Sequence, residues 1–162
     1  MHLTRDGRLE RTDIWREGKW LDLWSVVHLL TGVSVGLGFS LVHFGAVASV
    51  IIALLGFTAY EMWEKIVGIE EAPTNRIMDV VVGIVSFFPT FFFFAPRLTD
   101  GLYVLMFGLM LTANIVMSVF GWTASRKAVV LEEHIRARLA RRRARLLERR
   151  ALREKLRREK LH

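Results

Sequence analysis

Residues 102–122, LYVLMFGLMLTANIVMSVFGW, hold no charged side chain, while residues 126–160 just beyond them hold fifteen Lys or Arg and five Glu. That change is the strongest structural signal in the chain. Twenty-one helical residues rise about 31 Å, enough to cross a hydrocarbon core of about 30 Å. The basic run behind them cannot enter that core. Working back along the chain, the same reading applies to residues 23–44 (LWSVVHLLTGVSVGLGFSLVHF), where only His28 and His43 can carry charge. Residues 46–68 are apolar until Glu61, Glu64 and Lys65, and residues 77–95 carry only Asp79. None of the four stretches has the charged outer face of a helix in a water-soluble bundle. The sequence therefore predicts four transmembrane helices.

The whole composition agrees. Of the 162 residues, 52% are hydrophobic and 24% charged, yet mean hydropathy is +0.33 beside a pI near 10.5. Apolar and charged residues must be segregated along the chain, which excludes extended disorder and a single water-soluble core. With no cysteine, disulfides, thiolate metal sites and cysteine nucleophiles are excluded. The expected class is all-α: an integral membrane four-helix bundle with a long basic cytoplasmic C-terminal helix. Its parts are a polar cytoplasmic or interfacial segment (1–20), the bundle (21–122) and the basic helix (123–162).

Lys and Arg set the orientation. Five lie in residues 1–20, two (Lys65, Arg76) flank the link between the second and third spans, and fifteen lie in the tail. The opposite side holds only Arg97. Both termini should face the cytoplasm of a plasma or bacterial inner membrane. The acid-rich N-terminal segment does not read as a signal peptide. Trp15, Trp20 and Trp24 fit an aromatic anchor at headgroup level, and residues 8–19 carry a weak interfacial-helix pattern.

Ionisable residues in spans are costly and usually face other helices or water. In this topology His28, Glu61, Glu64, Asn75, Arg76 and Asp79 fall in the cytoplasmic third. Ser25, His28, Gly32 and Gly36 share one helical face, and Gly32-x-x-x-Gly36 lets another backbone approach. Glu61 and Glu64 are i,i+3 neighbours, and Asn75, Asp79 and Gly83 form a third stripe. The stripes are expected to converge on a small polar pocket. Two chemistries suit it. One is a divalent metal held by His28, Glu61, Glu64 and Asp79. The other is a lipid or amphiphile headgroup, with Arg76 or Lys65 pairing a phosphate. The plainer reading is structural, in which these charges pair to pin helix ends. His43 reads as interfacial, and Asn114 as an interhelical hydrogen-bonding residue.

The order Asp22-x-x-Ser25-x-x-His28, Tyr60-Glu61-x-x-Glu64 and Asn75-x-x-x-Asp79-x-x-x-Gly83 resembles VanZ-like membrane proteins and neighbouring families over residues 22–84. The resemblance implies a His or Asp-His early in the bundle, an acid closing a middle helix, and an Asp-x-x-x-Asn-x-x-Gly element or a close relative. Glu61-Met62-Trp63-Glu64 and the Asp79–Gly83 pair are the closest matches. The chain lacks the usual Gln after the glutamate and the Asn between Asp and Gly; Val82 precedes Gly83. The resemblance further implies a role at the cell envelope or in glycopeptide-antibiotic resistance.

Pro89 should kink the third span, and the phenylalanines at 87–94 are expected to supply packing and lipid-facing surface. The tail lacks Gly and Pro and is rich in Ala, Leu, Arg and Glu, all strong helix formers. It should form one helix of roughly 35–40 residues. Arg142, Arg149 and Arg153 interrupt any heptad seam. Anionic lipid, a protein partner or self-association suit this helix; nucleic acid suits it less, because no aromatic side chain is present for stacking. The chain lacks a phosphate-cradling Gly-rich loop, HExxH, GxSxG and the Asp-Gly-x-x-Ala-Arg signature of lipid-alcohol transferases. Two functional classes stay open. The first is a membrane subunit or binding module holding a lipid or amphiphile. The second is a VanZ-like membrane-embedded enzyme acting on a lipid-linked or phosphate-bearing substrate.

Overall fold

A computed structural model describes residues 2–3, 9–10, 14–16, 18–69 and 71–159. Among the described residues the fold is helical, apart from a two-residue antiparallel pairing of β1 (His2–Leu3) with β2 (Leu9–Glu10). The four helices are α1 (Leu23–Leu41), α2 (Ala46–Val67), α3 (Pro73–Pro89) and α4 (Asp100–Glu159). α3 runs on through a π turn (Thr90–Phe94) and a 3-10 turn (Ala95–Arg97). Four helical stretches are long and apolar enough to cross a membrane: Leu23–Leu41, Ala46–Val67, Pro73–Arg97 and the one beginning at Asp100. The chain divides into two units, Ile14–Ala124 and the segments Met1–Asp13 with Ser125–His162. In the second unit α4 continues to Glu159, so the tail is helical as expected, over the residues described.

Local chemistry fixes the helix ends. Asp22 caps α1, its carboxylate accepting from the amides of Trp24 (2.8 Å) and Ser25 (3.2 Å), while Ser25 Oγ accepts from the Asp22 amide (3.2 Å). This reciprocal box stops the helix unwinding toward Leu21. α1 ends at Leu41, short of the apolar run, because His43 turns into the left-handed region with φ 53°. Gly68, with φ 84°, closes α2; the Gly68 and Ile69 amides bond back to Lys65 and Glu64 (3.3 and 3.1 Å), the geometry that a side chain with a Cβ would resist. α3 begins at Pro73, four residues ahead of the apolar run, since proline needs no amide partner at a first helical position. At the other end of α3, the interruption at Pro89 takes the form of a π turn, with the Ala95 amide reaching Thr90 five residues back. The Thr90 hydroxyl bonds the Ser86 carbonyl at 2.7 Å, as a side chain near a helical proline often does.

Within Ile14–Ala124, α1 packs chiefly on α3. Gly32 makes this possible: a Cβ there would stand 2.0 Å from Ser86 Oγ and 2.1 Å from the Gly83 carbonyl. Gly36 meets Thr90 and the Phe87 carbonyl in the same way. Ala53, Phe57, Phe87 and Phe91 form one buried cluster, and Leu37, Ala95 and Tyr103 another. The phenylalanine run divides by helical period: Phe87 and Phe91 are buried, while Phe88, Phe92, Phe93 and Phe94 are exposed. α4 meets α1 through the Tyr103 hydroxyl, which donates to the Leu37 carbonyl, and through Asn114 Nδ2, which donates to Thr31 Oγ1 at 3.1 Å.

Two expectations need correction. Residues 8–19 are not an interfacial helix where described: Leu9–Glu10 pair as β2 and Ile14–Arg16 form a turn. A segment this short without a clear apolar stripe has little to offset helix nucleation. Trp15 is no headgroup anchor. It is buried at 3% exposure, edge-on to Trp24 (5.0 Å) and Phe120 (6.0 Å), in the space left by Gly121. Trp20 is exposed.

Candidate functional site

The start of α1, the end of α2 and the start of α3 lie together, because a short link joins α2 to α3 and α1 pairs with α3 along its length. Six expected residues, His28, Glu61, Glu64, Asn75, Arg76 and Asp79, belong to this end. His28, Glu61, Asn75 and Asp79 are buried, while Glu64 and Arg76 are half-buried. Lys65 is on the same turn of α2 but exposed, so it does not join the buried group.

The innermost trio is His28, Glu61 and Asp79. His28 Nε2 lies 3.5 Å from Glu61 Oε1 and 3.9 Å from Asp79 Oδ2. One atom from each residue lies within 4.8 Å of the other two. Asp79 is held firmly. Its Oδ1 accepts from Ser25 Oγ at 2.6 Å, and its Oδ2 receives a longer bond from Asn75 Nδ2 at 3.4 Å. Asn75 Nδ2 also donates to Asp22 Oδ2 and Glu71 Oε1, both at 2.9 Å. Asn75 therefore ties the cap of α1, the α2–α3 link and Asp79 into one network. The His28 ring stands edge-on to Tyr60 at 5.7 Å.

Glu61 is different. Its side chain is 3% exposed, and among the described residues neither carboxylate oxygen has a hydrogen-bond partner. The contacts with His28 Nε2 and with Arg76 Nε (3.8 Å) are too long for hydrogen bonds. A buried carboxylate left in this state is costly and calls for a proton, a cation or water.

A second acidic trio, Glu61, Glu64 and Glu71, shares Glu61 with the first. Arg76 already serves this side, with Nη2 3.3 Å from Glu71 Oε2 and Nε 3.8 Å from Glu61 Oε2. Glu71 lies in the link between helices. Burial raises its carboxyl above the usual range; the Asn75 hydrogen bond and Arg76 offset this only in part, and Glu64 and Asp22 add to it.

Beside His28 opens a mainly apolar groove of about 390 Å³ between α1, α2 and α4, bounded by Trp24, Thr31, Phe57, Tyr60 and Ser118 among others. Its size lies within the range of small-molecule sites, about 300–1,000 Å³. Glu61, Asp79 and Arg76 do not line it. His28 belongs to both the groove and the inner trio with Glu61 and Asp79.

Sequence reasoning placed six of these residues and missed two. Asp22 entered there only as the first residue of the Asp22-x-x-Ser25-x-x-His28 motif and not as a site residue, although Asp22-x-x-Ser25 is a readable capping box. Glu71 sits in a link with no periodicity to mark it; its one signal is its i,i+4 spacing to Asn75. Asn114, expected to bond between helices, does so with Thr31. No family model matches the chain, and neither a characterised protein nor a solved structure matches it.

Proposed function

We propose that the chain is an integral membrane protein, spanning four times with both termini in the cytoplasm, whose bundle binds an amphiphile. The apolar part of the ligand occupies the groove between α1, α2 and α4, and its polar head meets His28. The observation that carries this reading is the groove itself: apolar along its length, with an imidazole at the end where buried carboxylates gather. The membrane placement is supported by the exposed apolar surface. Val47, Leu55, Ile66, Val85, Phe94, Val104 and Leu105 are all at least half exposed, more large apolar surface than a water-soluble bundle presents. The basic segment after Ser125 engages the anionic cytoplasmic leaflet, each Lys or Arg near it contributing about 1 kcal/mol.

Gly56 provides the test. It borders the groove, and a Cβ there would meet nothing within 4 Å. Gly56→Trp should fill the groove while the bundle stays folded. Native mass spectrometry of protein extracted from membranes should show bound lipid on the wild type and its loss from the variant. Equal lipid on both would refute the groove as the binding site.

A second reading, the VanZ-like enzyme, is favoured by one observation: imidazole and two carboxylates lie within reach of one another at the end of the groove. In it, one carboxylate acts as general base on a lipid-linked or phosphate-bearing substrate. Arg76 is an unsuitable phosphate ligand there, because Glu61 and Glu71 flank its guanidinium. Turnover of such a substrate, abolished by His28→Ala, would favour this reading over simple binding.

A further inference from the structure

We infer that His28, Glu61 and Asp79 form a binding site for one divalent transition-metal cation of the Zn²⁺ or Mn²⁺ type. The site stands independently of the amphiphile, since two of its three ligands lie outside the groove.

Geometry supports it first. With metal–ligand bonds of about 2.0–2.2 Å, two ligand atoms of a tetrahedral site lie about 3.4 Å apart. The two edges from His28 Nε2 measure 3.5 and 3.9 Å, close to that spacing, and the third, between the carboxylates, is at most 4.8 Å, so the trio closes on an ion by side-chain movement. Three protein ligands leave a coordination position for water or for a ligand head entering past His28.

The unpartnered carboxylate is the second, separate observation. Glu61 is almost wholly buried, and both its oxygens lack hydrogen bonds among the described residues. An ion pair built only to pin helix ends would bring its donors to bonding distance; here the imidazole and the guanidinium both stop short. A cation between Glu61 Oε1, His28 Nε2 and Asp79 Oδ2 satisfies Glu61 directly. It also balances charge, since Glu61 and Asp79 together neutralise a divalent ion while Glu71 pairs with Arg76.

The surroundings suit a metal as well. Ser25 Oγ holds Asp79 Oδ1 at 2.6 Å, which leaves Oδ2 toward His28. Such outer hydrogen bonds orient ligating carboxylates. One imidazole with two carboxylates favours Zn²⁺ or Mn²⁺ over Mg²⁺ and Ca²⁺, which prefer all-oxygen sites, and the absence of thiolate disfavours Cu⁺. The other acidic trio is the poorer candidate, because Arg76 already places a cation against Glu61 and Glu71.

The experiment uses the full chain, purified in detergent without a histidine tag, stripped with chelator and dialysed against Zn²⁺, Mn²⁺ or Mg²⁺. Elemental analysis should find one Zn²⁺ or Mn²⁺ per chain and little Mg²⁺. His28→Ala and Asp79→Asn should lose that stoichiometric metal, Ser25→Ala should weaken binding by about tenfold or more, and Glu64→Gln should retain it. Co²⁺ in place of Zn²⁺ should give visible absorption in the wild type that His28→Ala abolishes. Wild-type protein that is monodisperse yet takes up neither Zn²⁺ nor Mn²⁺ overturns the proposal, with no variant required. Metal retained by His28→Ala and lost by Glu64→Gln overturns it too, by moving the ion to the other trio.

Discussion

α1 and α4 are both apolar enough to cross a bilayer, but they are held by different means. The most apolar stretch of α1 is 39% buried and that of α4 only 6%. α1 meets α3 backbone to backbone at Gly32 and Gly36, and adds the buried polar network of Asp22, Ser25 and His28. α4 offers a few contacts, among them Tyr103 and Asn114, while Val104, Leu109, Ile115 and Val119 stay exposed. The proposed membrane setting accounts for the contrast. Apolar side chains gain little by leaving lipid tails for each other, so close approach through small residues and interhelical hydrogen bonds decide the packing. By that rule α1 and α3 are the fixed frame of the site, and α4 is the looser wall of the groove.

The largest effect is expected at Gly32. Gly32→Leu puts a side chain where Ser86 Oγ and the Gly83 carbonyl already stand, and the backbone cannot yield cheaply. The loss should be about 3 kcal/mol or more, read as a large fall in the thermal midpoint of the monodisperse protein in detergent. Gly56→Ala is the control, because a methyl group there meets open space. It should be neutral or stabilising by up to about 1 kcal/mol. Equal destabilisation by the two would show that glycine in general, not the α1–α3 contact, is what the bundle needs.

Removing the cap of α1 should come next. Asp22 accepts from the amides of Gly18 (2.7 Å), Trp24 and Ser25 and from Asn75 Nδ2. Asp22→Ala should cost about 1–2 kcal/mol, and Asp22→Asn should recover much of it. Unfolding by denaturant in detergent measures both. An Asp22→Ala protein as stable as wild type would detach the cap from the frame.

How much of this was legible follows from which signals lie along the chain. The four long apolar helices were readable because each apolar run continues for several helical turns without a charged face. Their ends were less so: Phe44 extends the first apolar run, but His43 has already turned the chain, and Pro73 begins α3 before hydropathy rises. Convergence of His28, Glu61 and Asp79 followed from topology, which sets all three at one end. Asn75 as the hub of three carboxylates did not follow, because Asp22 and Glu71 lie outside regular periodicity. Trp15 was misread for a related reason. A tryptophan beside a span reads the same whether it faces headgroups or fills the space over a glycine such as Gly121.

Glu71 makes the stability of the site end of the bundle depend on pH. Its carboxyl is raised above the ordinary value of 4.5 by burial, so the folded state prefers it protonated. Below pH 4.5 both states hold the proton, and the associated stability is fully present. As pH rises the unfolded chain gives up its proton first, and the contribution is lost as pH passes the raised folded value. Glu71→Gln stays neutral throughout. Its stability relative to wild type should therefore rise with pH from about 4.5 upward and level off, as measured by unfolding at a series of pH values. A difference that falls with pH would mean that the Arg76 pair outweighs burial.

The smallest effect is expected at Asn114, and its smallness is the point. Asn114 Nδ2 donates to Thr31 Oγ1, but that hydroxyl also bonds the Val27 carbonyl of its own helix at 2.8 Å. Asn114→Leu therefore removes the contact with Thr31, including the longer 3.3 Å approach of its hydroxyl to Asn114 Oδ1, without stranding that hydroxyl, and Leu suits the exposed apolar face of α4. Single bonds of this kind contribute about 0.6 kcal/mol, so the thermal midpoint should barely move. A loss as large as that of Gly32→Leu would mean that α4 is fastened through this one contact. The groove it borders would then be part of the rigid frame, and a ligand would have to enter without displacing α4.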